Sequence, residues 1–165
     1  MTDSKQFATF FLNGLFFGIE VLKVQEVIRY QEMTRVPLAP RMIEGLINLR
    51  GRIVTAIDLR RRLEMPPRVA GELPMNVVIS SDDGAVSLLV DEIGDVVEVQ
   101  DDIYERPPET LNGAARELIR GVYKLKERLL LILDTEKAVG LPTSAAQVQS
   151  GKVDTSSKPI PCKRP

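Results

Sequence analysis

IEGLINLRGRIVTAID (residues 43–58) aligns without a gap on IRGVYKLKERLLLILD (residues 119–134), and this internal echo decides how the chain is read. Ile, Gly, Leu, Arg and Asp coincide at five of the sixteen positions, where ordinary residue usage gives roughly one. Other pairs are conservative, such as Arg50 with Lys126 and Ile53 with Leu129. A fainter echo lies upstream, where Val21, Val24, Glu26, Val27 and Ile28 match Val90, Ile93, Asp95, Val96 and Val97. A unit used twice predicts two lobes with a seam between them, and seams of this kind are where partners bind.

Outward from the echo, the chain reads as short β runs punctuated by Gly and Pro. FATFFL (7–12), Asn13-Gly14 and LFFGIEV (15–21) form a strand, a tight turn and a strand, because Asn-Gly readily supplies positive φ angles. A brief helical turn is expected at 22–25, and a rigid connector at Val36-Pro37-Leu38-Ala39-Pro40. Residues 41–47 are expected to begin helically before the strand 52–58. Further strands are expected at 76–80, 86–90, 96–99, 121–124 and 128–133, with a closing helical turn at 135–139. This pattern is mainly β and predicts small barrels or a sandwich with short helical segments. From Pro142 onward Ser, Thr, Pro, Gln and Lys dominate, so residues 141–165 read as a disordered tail.

Composition narrows the chemistry. The 165 residues are 44% hydrophobic and 27% charged, globular values for one domain or two lobes sharing a core. A net charge of −1 removes the electrostatic case for nucleic acid or an anionic membrane. No apolar run approaches the ~20 residues of a membrane span, and the N-terminus MTDSKQ has no signal-like apolar region. The one cysteine, Cys162, excludes an internal disulfide and fits a reducing cytoplasm. Histidine is absent, which excludes the usual zinc sites, Cys–His nucleophiles and the Ser–His–Asp triad. No metal or cofactor is expected.

Two kinds of site remain. Val21, Val24, Val27 and Ile28 recur at three- and four-residue spacing with Glu26 among them, and Ile93 and Val97 stand at echoing positions. They are either core or the lining of a groove that accepts an amphipathic helix. Arg50, in Asn48-Leu49-Arg50-Gly51, is either a solvated charge or the partner of Glu26, since a guanidinium holds a carboxylate in fixed geometry. Asp58, Asp91 and Asp134 each end an apolar run. In a small β-barrel enzyme they would supply paired carboxylates; otherwise they make turns or cap helices.

Taken in order, FGIEVLKVQEVI, VP, IEGLINLRGRIV, AIDLR, LLVDEIGDVVEV and IRGVYKLKERLLLILD resemble the CheW family of chemotaxis coupling proteins, over about Phe7 to Gly140. The resemblance implies two five-stranded SH3-like barrels packed on a shared core. It makes residues 1–140 a single CheW-like domain, with a first barrel at about 15–75 and a second at about 76–140. The N-terminal strand is a candidate to serve both. It further implies a cytoplasmic, non-catalytic adaptor that couples transmembrane chemoreceptors to the histidine kinase CheA in arrays beneath the inner membrane. The receptor's helical tip would lie against Val21, Val24, Glu26, Val27, Arg50 and Ile93. The kinase's regulatory domain would meet Met42, Glu44 and Leu46. A coupling module of the CheV type is the near alternative, and the short polar stretch after Gly140 argues against it.

Overall fold

The computed structural model describes residues 4–82, 84–100, 104–106 and 113–140, and the expected tail at 141–165 lies outside them. Strands β1 (Ser4–Leu12), β2 (Leu15–Glu20), β3 (Val24–Ile28), β4 (Ile43–Leu49), β5 (Arg52–Asp58), β6 (Met75–Ser81) and β7 (Gly84–Val90) come first, with the short helix α1 (Leu59–Arg62) after β5. There follow β8 (Glu92–Gln100), β9 (Tyr104–Glu105), helix α2 (Gly113–Leu118), β10 (Ile119–Lys124), β11 (Leu129–Leu133) and helix α3 (Thr135–Val139). They form two open, SH3-like sheets: β3-β6-β7-β5-β4 and β8-β1-β2-β11-β10-β9.

The two sheets share one design. Hairpin β4/β5 corresponds to β10/β11, hairpin β6/β7 to β1/β2, and edge strand β3 to β8. The parallel pairing of β5 with β7 is matched by that of β11 with β2. Even the irregularities recur, with a register shift at Ile43/Gly45 in one hairpin and at Ile119/Gly121 in the other. The lobes are nonetheless circular permutations of each other. The second takes its hairpin β1/β2 from the N-terminus, so the chain crosses between sheets near Asp91 rather than near residue 75. Residues 76–90, expected in the second barrel, pair with β3 and β5 of the first. The N-terminal strands belong to the second sheet alone.

Local chemistry explains the elements. The β1/β2 and β4/β5 hairpin loops each take positive φ twice, at Asn13 (52°) and Gly14 (80°), and at Arg50 (51°) and Gly51 (86°). Such turns match the twist of the strands they join. Asn48 Oδ1 accepts the Gly51 N–H at 3.0 Å and closes the second of them. Asp58 and Asp134 play equivalent parts: each carboxylate accepts a backbone N–H, of Arg60 and of Lys137, at the N-terminus of a helix. The helical start expected after Arg41 does not form. Ile43 is already paired with Ile57, and β4 keeps its extended geometry through Gly45 against Thr34. The helical turn expected at 22–25 is a 3-10 turn at Val21–Lys23, and helix α2 adds an element beyond those expected from the sequence.

Burial falls into three clusters. The largest draws on both sheets, including Phe10, Phe17 and Ile19 from one and Ile57, Val77, Ile79 and Leu88 from the other. Each lobe also closes a small core of its own, around Ile47, Val54, Val78 and Leu89 in the first and Phe7, Tyr123, Leu130 and Ile132 in the second. The shared cluster makes the two lobes one cooperative body.

Candidate functional site

Edge strand β3 carries most of the expected site. A bulge at Gln25 separates Val24, opposite Ile79, from Glu26, opposite Val78. Directly opposed residues of a sheet share a face. Val24 opposite Ile79 and Val27 opposite Val77 therefore face the side of the shared core, while Glu26 and Ile28 face the other way. Without the extra residue, a spacing of three would place the two valines on opposite faces. Val24 is half-buried against the core, and Val27 is 39% exposed.

Strand β8 repeats the arrangement, with its irregularity between the pairs Phe10–Ile93 and Ala8–Val96. Ile93 packs against the shared core as Val24 does, and Val96 stands 58% exposed as the counterpart of Val27. Val97, taken from the sequence as the echoing apolar residue, packs into the second lobe's own core. Val96 is the residue missed, although its alignment with Val27 was legible. Val21 begins the 3-10 turn and lines a concavity of ≈ 550 Å³ with Leu22, Gln6 and Glu98.

Arg50 grips Glu26 with two parallel hydrogen bonds, Nη1 to Oε2 at 2.8 Å and Nη2 to Oε1 at 2.9 Å. The Arg50 hydrogen bond holds the Glu26 carboxyl below its ordinary value and raises that of the guanidinium. The clamp continues through Gln25, whose Nε2 donates to Ser80 Oγ at 2.9 Å. Arg50 thus sits fixed on a left-handed turn, its charge already matched, beside the strand that carries Val24 and Val27.

The second expected surface is only partly available. Met42 is 5% exposed and packs into the shared core, because its carbonyl accepts the Asp58 N–H at 2.8 Å and the side chain turns inward. It is no surface contact. Glu44 is half-buried and bridges to Arg61 at 2.8 Å, and Leu46 exchanges both main-chain hydrogen bonds with Thr34.

The three aspartates do not assemble as a trio. Asp58 and Asp91 are joined through Arg68, whose Nη1 lies 3.2 Å from one and whose Nε lies 3.0 Å from the other. Arg60 adds a bidentate grip on Asp91 and donates to the Pro66 carbonyl at 2.8 Å. From the other lobe the Asn13 N–H reaches Asp91 Oδ2 at 2.8 Å. Burial pushes against the charged form of Asp91, yet the hydrogen bonds of Arg60 and Asn13 and the nearby guanidinium charges outweigh it and lower the carboxyl pKa. This is a pin between lobes at the crossover, with every carboxylate oxygen of Asp91 occupied by donors. Asp134 has the separate task of capping α3.

A profile of the CheW-like domain matches residues 6–141. Chemotaxis protein CheW of Klebsiella aerogenes is 34% identical over 136 residues, covering 82% of each chain. Its namesake in Bacillus subtilis is 33% identical over 139 residues, covering 84% of this chain and 89% of that one. The crystal structure of the scaffolding protein TtCheW from Thermoanaerobacter tengcongensis superposes with a TM-score of 0.74 at 26% identity, over 86% of this chain and 94% of that one. The chain belongs to the CheW-like domain family.

Proposed function

We propose that this family member is a non-catalytic adaptor that couples chemoreceptors to the histidine kinase CheA at the cytoplasmic side of the inner membrane. The observation that carries the reading is the pair of edge strands β3 and β8. Each bulges at the same place and leaves a valine exposed beside the shared core, Val27 on one and Val96 on the other. An amphipathic helix from a receptor tip supplies the apolar complement to such a rim. The Glu26–Arg50 clamp, rigid and already neutralised, gives it a polar edge that costs little to desolvate.

The kinase would be held elsewhere on the first lobe, near Glu44 and Leu46. A rigid body with two such faces transmits control by differential affinity: the receptor state that favours one adaptor arrangement shifts the kinase population. Catalysis by the aspartates is disfavoured because Asp58 and Asp91 are engaged by arginines and a capped N–H. Absence of any described helix long and apolar enough to cross a membrane agrees with attachment through partners.

Binding of a receptor cytoplasmic hairpin fragment tests the site. Val24→Asp and Val96→Asp are expected to weaken it by roughly 2 kcal/mol or more each, as a buried charge would. Binding by both variants equal to that of the unaltered protein contradicts the reading.

A further inference from the structure

The two rims of the proposed groove stand on strands that do not pair with each other. β3 is the outermost strand of the first sheet and β8 the outermost strand of the second. Their separation is therefore set by the join between the lobes. Along the chain that join narrows to one residue: β7 ends at Val90 in the first sheet, β8 starts at Glu92 in the second, and Asp91 alone lies between them. A residue that links two bodies at the ends of their elements is where rotation of one against the other is absorbed. Ile93 lies two positions further on and packs against the shared core, so a change of direction at Asp91 passes straight to the rim.

Arg68, in the connector between α1 and β6, immobilises this joint from the first lobe. Its guanidinium meets three chain ends at once. Nη1 is 3.2 Å from Asp58 Oδ1 at the end of β5, Nη2 donates to the Leu89 carbonyl near the end of β7 at 3.2 Å, and Nε lies 3.0 Å from Asp91 Oδ1. The last contact lacks hydrogen-bond alignment and is held by charge. Arg60, which grips the same carboxylate, also donates to the Pro66 and Pro67 carbonyls at 2.8 and 3.3 Å. Two prolines with φ fixed by their rings are thus clamped immediately ahead of Arg68 and present it. From the second lobe the Asn13 N–H bonds Asp91 Oδ2, and the Phe11 carbonyl accepts the Asp91 N–H at 3.1 Å. Both guanidinium groups are largely buried, where solvent and salt screen a charge pair little.

We infer that Arg68 is a positioning residue for receptor docking: by locking Asp91 it sets the spacing between the Val24–Val27 rim and the Ile93–Val96 rim. It acts through Asp91, since its own donors are already engaged. A groove held at its working width spares the binding free energy that ordering two loose lobes would consume. This inference rests on receptor docking as proposed above.

The test compares the unaltered chain with Arg68→Gln and Arg68→Lys, and with Val24→Asp as a rim variant. Spin labels on Arg29→Cys, immediately after β3, and Glu98→Cys, on β8, report the separation of the two strands in a Cys162→Ser background, Cys162 being the only native cysteine. Binding of the receptor cytoplasmic hairpin fragment, and separately of the CheA regulatory domain, is measured on unlabelled protein. Arg68→Gln is expected to broaden the distance distribution and to lower receptor affinity roughly fivefold, with kinase affinity unchanged because that face is proposed to lie on the first lobe alone. Arg68→Lys keeps the charge but not the fork, and is expected to lose about twofold. Should Arg68→Gln fail to fold, Arg68→Lys carries the test. Unchanged distances, or unchanged receptor affinity in spite of broadened ones, overturn the positioning role. Equal losses for receptor and kinase also overturn it, since they mark general destabilisation. Receptor binding by Val24→Asp equal to that of the unaltered chain overturns the groove itself.

Discussion

Asp91 shows how one carboxylate can hold a two-lobed body together. Its side chain is 19% exposed, Arg60 and Arg68 are each 12% exposed, and the Asn13 N–H arrives from the opposite sheet. Asp91→Asn keeps the size but removes the charge from two guanidinium partners, and is expected to cost roughly 2–3 kcal/mol in chemical denaturation. The sign of the pH effect follows from the lowered folded pKa. The stabilisation is complete above the unfolded value and is lost as pH falls through the folded one. Acidification below about pH 4 should therefore narrow the stability gap between the unaltered protein and Asp91→Asn. Arg50 is a contrasting case, with a side chain 77% exposed. Arg50→Asp should leave the thermal transition nearly unchanged, since an exposed ion pair is screened by solvent, while weakening receptor binding, both read by calorimetry on the same samples. Global unfolding of that variant would make Arg50 structural instead. The Glu26–Arg50 pair was legible because the family resemblance supplied what spacing left open. The Asp91 pin was not, since its partners lie 31, 23 and 78 positions away in sequence.

At the scale of elements, the first hairpin is readable and the bulges are not. Asn13-Gly14 announces positive φ in its residue types, and the apolar runs beside it carry the β pattern, whereas Arg50-Gly51 offers only its glycine and the hairpin there replaces an expected helical start. An extra residue in an edge strand has no such signature. Gln25 and Gly94 look like ordinary strand positions, yet the bulge at Gln25 decides that Val24 and Val27 share a face. For the same reason the sequence of β8 does not reveal that Val96, rather than Val97, shares a face with Ile93. Gly45 offers a direct check on the strap that covers β4. A Cβ there would meet the Thr34 carbonyl oxygen at 2.7 Å, a backbone atom with little freedom to yield. Gly45→Ala is expected to destabilise by about 2 kcal/mol and to speed hydrogen exchange at the Thr34 and Leu46 amides, which bond each other's carbonyls. Slow exchange at both amides in that variant would show that the strap yields without strain.

For the whole molecule, the repeat was visible in sequence but its wiring was not. A linear echo suggests two consecutive lobes, whereas the second lobe borrows β1 and β2 from the far end of the chain. Strand pairing between residues some 90 positions apart, such as Ser4 with Gln100, leaves no local mark. The consequence is mechanical: the shared core and the exchanged hairpin tie both faces to one rigid frame. Unfolding monitored on both lobes should accordingly follow a single transition, and separate transitions would show lobes that move independently. Rigidity matters because an adaptor relays a receptor state to a kinase only if its two faces keep a fixed relation. The decisive measurement is the rate of CheA autophosphorylation in reconstituted receptor membranes, with and without this protein. The account predicts strong, ligand-sensitive stimulation that requires the protein and is lost in Val24→Asp. Equal kinase activity with the protein left out would contradict it.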